Sequence, residues 1–216
     1  MRITKEAEER KNEILDVAES MFVMKGYDNT SISDLLETMN IARGTLYYHY
    51  KSKEEILDGI ISRRGTLATA AAEKIIDNSE LSPIEKLLQF IMSLGPTDKQ
   101  QEQLFNHLET TKNTQLFQKS LTEIISRIAP LGAKIIEEGN QKGVFNTQYP
   151  IETVEMLLAI GHTLFDNGEL NLTEQEKQQK FIAFIFNAER MLGTKENTLL
   201  HFVLSLQQQE ENKNEE

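Results

Sequence analysis

Hydrophobic residues recur every three or four positions along most of this 216-residue chain, and the sequence shows no sustained alternation of apolar and polar residues. Ile14, Ala18 and Phe22 share one face of a predicted helix that ends at Gly26. A second, shorter helix is predicted after Thr30–Ser31, where either hydroxyl can cap it. The pattern therefore predicts an all-α fold.

Longer helical stretches follow, and few Gly and Pro residues interrupt them. Residues 54–77 form one such stretch, with Ile60 and Leu67 on its predicted buried side. Ser82–Pro83 gives an N-cap followed by a first-turn proline, so a helix is predicted from there to Gly95–Pro96. The remaining predicted helices cover residues 99–111, 114–139, 151–166, 174–192 and 196–208.

Residues 25–57 contain two short helical patterns separated by a tight turn, as a helix-turn-helix requires. Asn40 lies at the turn, where Asn tolerates a positive φ angle. The second helix is predicted at residues 42–48, with Leu46 as its inward anchor and Tyr50 packing where it ends. The apolar anchors of the first helix and the turn are Ile32, Leu35, Leu36, Met39 and Ile41.

The second helix presents side chains that suit the major groove of DNA. Arg43 can donate two hydrogen bonds to a guanine edge, and Gly44 removes a side chain where the backbone would approach the bases. Neighbouring polar tips can contact phosphates, which set register but do not read sequence. For Tyr47 and Tyr48 the alternative is packing at the edge of a small bundle. The predicted DNA contacts are Thr30, Ser31, Ala42, Arg43, Gly44, Thr45, Tyr47, Tyr48, His49 and Lys53.

The charge of the chain constrains this interpretation. The net charge is −11, which by itself disfavours binding to a polyanion. Residues 1–65 carry 10 basic and 12 acidic side chains, whereas the remainder carries 13 and 22. Most of the excess acid therefore lies outside the helix-turn-helix, and DNA binding remains compatible with the composition.

The same segment resembles the DNA-binding region of the TetR family of transcriptional regulators. The pattern comprises Ala18, Phe22, Gly26–Tyr27, Thr30–Ser31, the run from Gly44 to Tyr50 (GTLYYHY) and Ser52-Lys53-Glu54. It covers about the first quarter of the chain. Asn40 stands where the family usually has Gly, and Ala42 stands where it usually has Ser or Thr. The second departure removes a helix cap worth roughly 1 kcal/mol.

The resemblance implies that the rest of the chain binds a small effector, forms a homodimer and controls repression at a palindromic DNA operator. Residues 151–166 and 174–192 fit a dimer, because their apolar residues spread wider than one stripe. The alternative is that these helices are internal to a monomer. The predicted domains are 1–53 for DNA binding, a connecting helix at 54–77, 78–208 for effector and dimer, and an acidic, disordered tail at 209–216.

An effector pocket would be mostly apolar with a few polar groups. Its predicted lining residues are Phe90, Leu104, Phe105, His107, Leu108, Phe117, His162 and Phe165. His107 and His162 lack the spacing of a metal pair, so no metal and no cofactor are predicted.

The alternatives to a DNA-binding regulator are an enzyme and a helical interaction protein. The chain has no Cys, no Gly-x-Ser-x-Gly motif and no His-Glu-x-x-His motif, so catalytic residues are not predicted. No apolar run reaches the roughly 18 residues of a membrane span, and a cytoplasmic location is expected.

Overall fold

The structure of the protein is a computed structural model that describes residues 2–94, 114–165 and 172–205. Regular secondary structure in these ranges is α-helical, which confirms the all-α prediction. The chain divides into two compact units: Met1–Ala68 with Gly95–Ile124, and Thr69–Leu94 with Ile125–Glu216. The domain limits predicted from the sequence stay a prediction.

The described helices match the predicted ones to within a few residues, except that α1 starts well before its predicted apolar stripe. In the first unit they are α1 (Arg2–Lys25), α2 (Ile32–Met39), α3 (Arg43–His49) and most of α4 (Lys53–Ile76). The others are α5 (Pro83–Ser93), α6 (Thr114–Gln141), α7 (Pro150–Phe165) and α8 (Glu174–Leu192), and residues 198–205 are also helical.

Local signals set the limits of the first helices. α1 ends where Gly26 adopts a φ of +89°. α2 begins with a capping box, in which the Ser31 hydroxyl accepts from the Asp34 N–H and the Asp34 carboxylate accepts from the Ser31 N–H. The Ser31 hydroxyl also donates to the Asp34 carboxylate at 2.8 Å. The hydrogen bonds from the Ser31 N–H and then from its hydroxyl lower the pKa of Asp34. Asn40 has a φ of +49°, which confirms the predicted turn conformation.

The core of the first unit lies between the apolar faces of α1 to α4. Its buried members are Ile14, Leu15, Ala18, Met21, Phe22, Tyr27, Leu35, Leu46, Tyr50, Ile56, Leu57, Ile60 and Ile61. Each large side chain buried there contributes about 1.5–3 kcal/mol. Leu67, predicted on the buried side of α4, is exposed, so that prediction is wrong. The periodicity of apolar residues identifies the apolar face of a helix. It does not show how much of that face a neighbouring helix covers.

Caps and a glycine contact shape the second unit. α5 and α8 both start with capping boxes, formed by Ser82 with Glu85 and by Thr173 with Glu176. On α6, a Cβ at Gly132 would lie 2.9 Å from ring atoms of α5 and side-chain atoms of α7. The glycine therefore permits the close approach of three helices.

Two buried charged side chains hold helix ends in the second unit. Lys86 Nζ donates to the Ile76 carbonyl and to Glu138 Oε2, both at 2.8 Å. Glu138 also accepts from Lys142, and the hydrogen bonds from Lys142 and Lys86 lower its pKa. Glu189, 3% exposed, receives three backbone N–H groups at the start of helical residues 198–205.

Candidate nucleic-acid interface

α3 buries one face and exposes the other. Leu46 is fully buried, and Tyr50 at the C-terminal end of the helix is 3% exposed, which confirms both predicted anchors. Arg43, Gly44 and Thr45, in the first turn of the helix, are exposed, and Tyr48 is 74% exposed. We call these four residues, Arg43, Gly44, Thr45 and Tyr48, the reading surface. The core fixes its orientation because α3 packs on the core through the two buried anchors.

The start of α3 is open. A Cβ at Gly44 would meet no atom within 4 Å, so the backbone there is accessible to a large partner. Ala42 is the N-cap and makes no side-chain hydrogen bond to the helix. The side-chain cap that Ser or Thr would supply is therefore missing here, as the sequence predicted.

The aromatic residues of α3 have different environments. Tyr48 cannot be a core residue, because most of its side chain is exposed; for Tyr48 the packing alternative is wrong. Its ring contacts His49 edge to face, with 5.0 Å between the centroids. Tyr47 and His49 are half-buried, a placement that leaves both packing and phosphate contact open. Lys51 Nζ donates to the Tyr47 carbonyl at 2.6 Å and so caps the end of α3.

Thr30 does not have the accessibility that its predicted DNA contact requires. It is 1% exposed, and its hydroxyl donates to the carbonyls of Gly26 at 2.9 Å and Met21 at 3.3 Å. The side chain therefore closes the turn between α1 and α2, and we correct its role from contact to support. Ser31, next to it, is exposed and keeps its predicted place at the surface.

Lys53 also has a structural role that the sequence did not reveal. Its Nζ donates to the carbonyls of Tyr27 at 2.8 Å and Thr30 at 3.0 Å. It also lies 4.2 Å from the centroid of the Tyr27 ring, a cation–π contact. The ammonium group is thus held against the turn between α1 and α2. The structure adds this support role, and the phosphate contact expected for Lys53 stays a prediction.

The junction of α3 and α4 is tightly packed. A Cβ at Gly59 would lie 3.0 Å from Leu15 Cδ2 and 3.1 Å from Tyr50 Cε1. The Tyr50 hydroxyl is buried without a hydrogen-bond partner among the described residues, and burial raises the pKa of Tyr50 to about 12. Ser52 caps α4 by accepting from the Glu55 N–H at 3.1 Å. A small residue at position 59 was the available sequence signal for this contact.

Most of the predicted effector pocket lies outside the described residues. Leu104, Phe105, His107 and Leu108 fall in that part of the chain, as do the side chains of Phe117, His162 and Phe165. Phe90 is described and buried, in contact with the backbone of α6 near Gly132. The pocket remains a prediction.

Two family models match the chain in order. Residues 14–60 match the model for bacterial regulatory proteins of the tetR family, and residues 97–187 match a tetracyclin repressor-like C-terminal domain. The chain belongs to the TetR family. Proteins of this family are transcriptional regulators. The first match includes all of α2 and α3, and the reading surface therefore lies within the family's DNA-binding region.

Curated TetR relatives are similar mainly over part of their length. The transcriptional repressor KstR2 of Mycolicibacterium smegmatis is 31% identical over 84 residues, which cover 39% of this chain and 40% of KstR2. The negative regulator of the biofilm operon icaADBC, IcaR of Staphylococcus epidermidis, is 48% identical over 46 residues, or 21% and 25% of the two chains. The chain thus spans less than half the length of these relatives.

Solved TetR structures share the fold over most of the chain. A putative TetR regulator from Syntrophomonas wolfei has a TM-score of 0.62 at 22% identity, covering 84% of this chain and 95% of its own. PfmR from Thermus thermophilus has a TM-score of 0.56 at 23% identity, covering 85% and 98%. Among the described residues, the helices are too short or too polar to cross a membrane.

Proposed function

We propose that this chain is a sequence-specific DNA-binding repressor that acts as a homodimer in the cytoplasm. The observation that carries the proposal is the reading surface, a set of exposed residues on a short helix that Leu46 and Tyr50 anchor to the core. A face of this size can enter the major groove, as the second helix of a helix-turn-helix does. KstR2 and IcaR are described as a repressor and a negative regulator, which supports repression over activation.

Within this interface we assign different roles to different residues. Arg43 is the proposed base reader, since it is exposed and its guanidinium matches a guanine edge. Gly44 and Ala42 allow the backbone to approach the DNA. The proposed phosphate contacts are Ser31, Thr45, Tyr47, Tyr48 and His49. Thr30 supports the turn behind them from a buried position, and Lys53 holds the same turn while it remains a proposed phosphate contact.

The proposed dimer uses the exposed apolar side chains of the second unit. Met156 and Ile160 lie one turn apart on α7, and Ile182 and Phe186 lie one turn apart on α8; all four are exposed. Apolar residues at this spacing favour helix packing against a partner. Two copies would form a four-helix bundle with two-fold symmetry, and the operator would be palindromic.

A small molecule bound in the second unit is the proposed signal that releases the operator. Support for this step comes from family membership, because effector release is typical of TetR regulators. Such a ligand can act only if it binds the DNA-free arrangement better than the bound one. The proposed limits of the DNA-binding and effector domains are those predicted from the sequence, 1–53 and 78–208.

Selection from random duplex DNA tests the proposal and requires no known operator sequence. The purified full chain should enrich a palindromic sequence, and anisotropy with that sequence should show specific binding at about 0.15 M salt. Arg43→Ala should lower affinity for the selected site by about 1–3 kcal/mol and relax preference at one base pair per half-site. Arg10→Ala is the matched control, since Arg10 lies on α1 and pairs with Glu13.

Enrichment of no common sequence by the wild-type chain would show that the proposed function is wrong. Equal losses of selected and random DNA binding in Arg43→Ala would retain DNA binding but remove Arg43 as the base reader.

A further inference from the structure

α4 is joined to the DNA-binding helices at three levels within the first unit. At its first residue, the Lys53 ammonium binds two carbonyls of the turn between α1 and α2. Near its second turn, Gly59 packs against the Tyr50 ring that follows α3. One turn further on, Arg63 and Arg64 bind acidic residues of α1. The described geometry thus makes the segment 53–64 of α4 continuous with the body that carries α3.

The third level is an ion-pair cluster formed by Asp16, Glu19, Arg63 and Arg64. Arg63 Nη1 lies 2.6 Å from Asp16 Oδ1, and its Nη2 lies 2.7 Å from Glu19 Oε2. Arg64 Nε binds the other carboxylate oxygen of Glu19. A planar guanidinium paired with two acids, and a carboxylate paired with two arginines, constrain the angle between α1 and α4 more than a single ion pair does.

Burial and sequence separation distinguish this cluster from ordinary surface pairs. The Glu19 side chain is 16% exposed, whereas Glu13, which pairs with Arg10 on the same helix, is 54% exposed. The bonds from Arg63 and Arg64 join residues 44 to 47 positions apart, so they connect two helices and not two turns of one helix. Partly buried, networked pairs are screened less by solvent than isolated exposed ones.

We propose that Glu19, Arg63 and Arg64 are positioning residues that set how strictly the dimer selects the spacing between its two DNA half-sites. The inference rests on the proposed function above. α4 is one helix from Lys53 to Ile76, so the angle between α1 and α4 sets the direction of the reading surface relative to α4 itself. A cluster that stiffens this angle raises the cost of reaching half-sites at the wrong separation.

The test measures the full chain on the selected operator, on the same operator with one base pair inserted at its centre, and on a single half-site. The variant is Glu19→Gln. Glu13→Gln is its matched control, because it removes the same charge from the same helix without touching α4. Arg63→Lys with Arg64→Lys is a second variant that keeps the charges and loses the planar pairing, in case Glu19→Gln does not fold.

We expect Glu19→Gln to bind the half-site like Glu13→Gln, while the affinity penalty of the inserted base pair falls by roughly three- to tenfold. The lysine double variant should reduce the same penalty. An unchanged spacing penalty in the variants would overturn the inference, and so would an equal loss of binding on all three DNAs. Failure of the proposed function would look different, because the wild-type chain would then select no operator.

Discussion

Replacing Glu189 by Gln should destabilise the second unit although the two side chains have almost the same size. Glu189 Oε1 accepts from the Leu199 N–H at 2.7 Å and the Leu200 N–H at 3.2 Å, and Oε2 accepts from the Asn197 N–H at 2.9 Å. The amide of Gln offers one oxygen, so its NH₂ group must face at least one of these donors. A lost hydrogen bond to a buried charged group, together with the donor left unsatisfied, costs about 2–4 kcal/mol.

For a chain of this length, that loss corresponds to a fall in melting temperature of roughly 5–15 °C. Circular dichroism at 222 nm during heating measures it, and hydrogen exchange should show faster exchange of the Leu199 and Leu200 amides. Glu196→Gln is the control, because Glu196 is exposed and precedes the same helix start. If Glu189→Gln and Glu196→Gln melt within about 1 °C of each other, the capping role assigned to Glu189 is wrong.

Three further predictions concern the dimer, acid stability and the reading surface. Phe186→Glu should shift the chain from dimer to monomer in light scattering, whereas Met24→Glu, at an exposed apolar residue of the first unit, should leave the dimer intact. The depressed pKa of Glu138 means that its stabilising effect is present above its ordinary value of 4.5 and is lost as pH falls through the lower folded value. Glu138→Gln should therefore flatten the decline of melting temperature below about pH 5, and Glu137→Gln should not. Gly44→Ala should keep or raise the melting temperature, since helix propensity improves by about 1 kcal/mol. It should also weaken binding to the selected operator.

Each of these predictions has a contradicting result. A Phe186→Glu chain that stays dimeric would place the dimer interface elsewhere. Parallel acid-melting curves for Glu138→Gln and Glu137→Gln would remove the contribution of the Lys86 and Lys142 hydrogen bonds. Full operator affinity in Gly44→Ala would mean that the backbone at the start of α3 does not approach the DNA closely.

The sequence predicted most helix limits well because the signals for them are local. Ser31, Asn40 and Thr173 act within three or four residues of the helix ends that they set. It also identified Leu46 and Tyr50 as the inward anchors of α3, because apolar residues four positions apart share one face of a helix. The start of α1 was different: no cap precedes the apolar stripe, so the charged first turns carried no signal.

The structural roles that the sequence did not reveal belong to residues whose partners lie far along the chain or on another element. The Thr30 hydroxyl binds a carbonyl nine residues away, and Lys53 binds one 26 residues away. The periodic pattern of apolar residues does not indicate contacts at such sequence separations. Both residues were therefore assigned from their chemistry alone. The exposure of Leu67 has the same origin, because burial depends on where neighbouring helices end.

The ion-pair cluster between α1 and α4 also affects how the protein searches for its site. Arg63 and Arg64 are two of the ten basic residues in the first 65, and both face carboxylates. Residues 42–53, around the reading surface, supply only Arg43, Lys51 and Lys53 as permanent cations. Few counterions are then released per phosphate contact, and affinity for DNA should depend only weakly on salt concentration. If the proposed function holds, binding to bulk genomic DNA, which is almost entirely electrostatic, should be weak, and little of the protein should be held away from its operator.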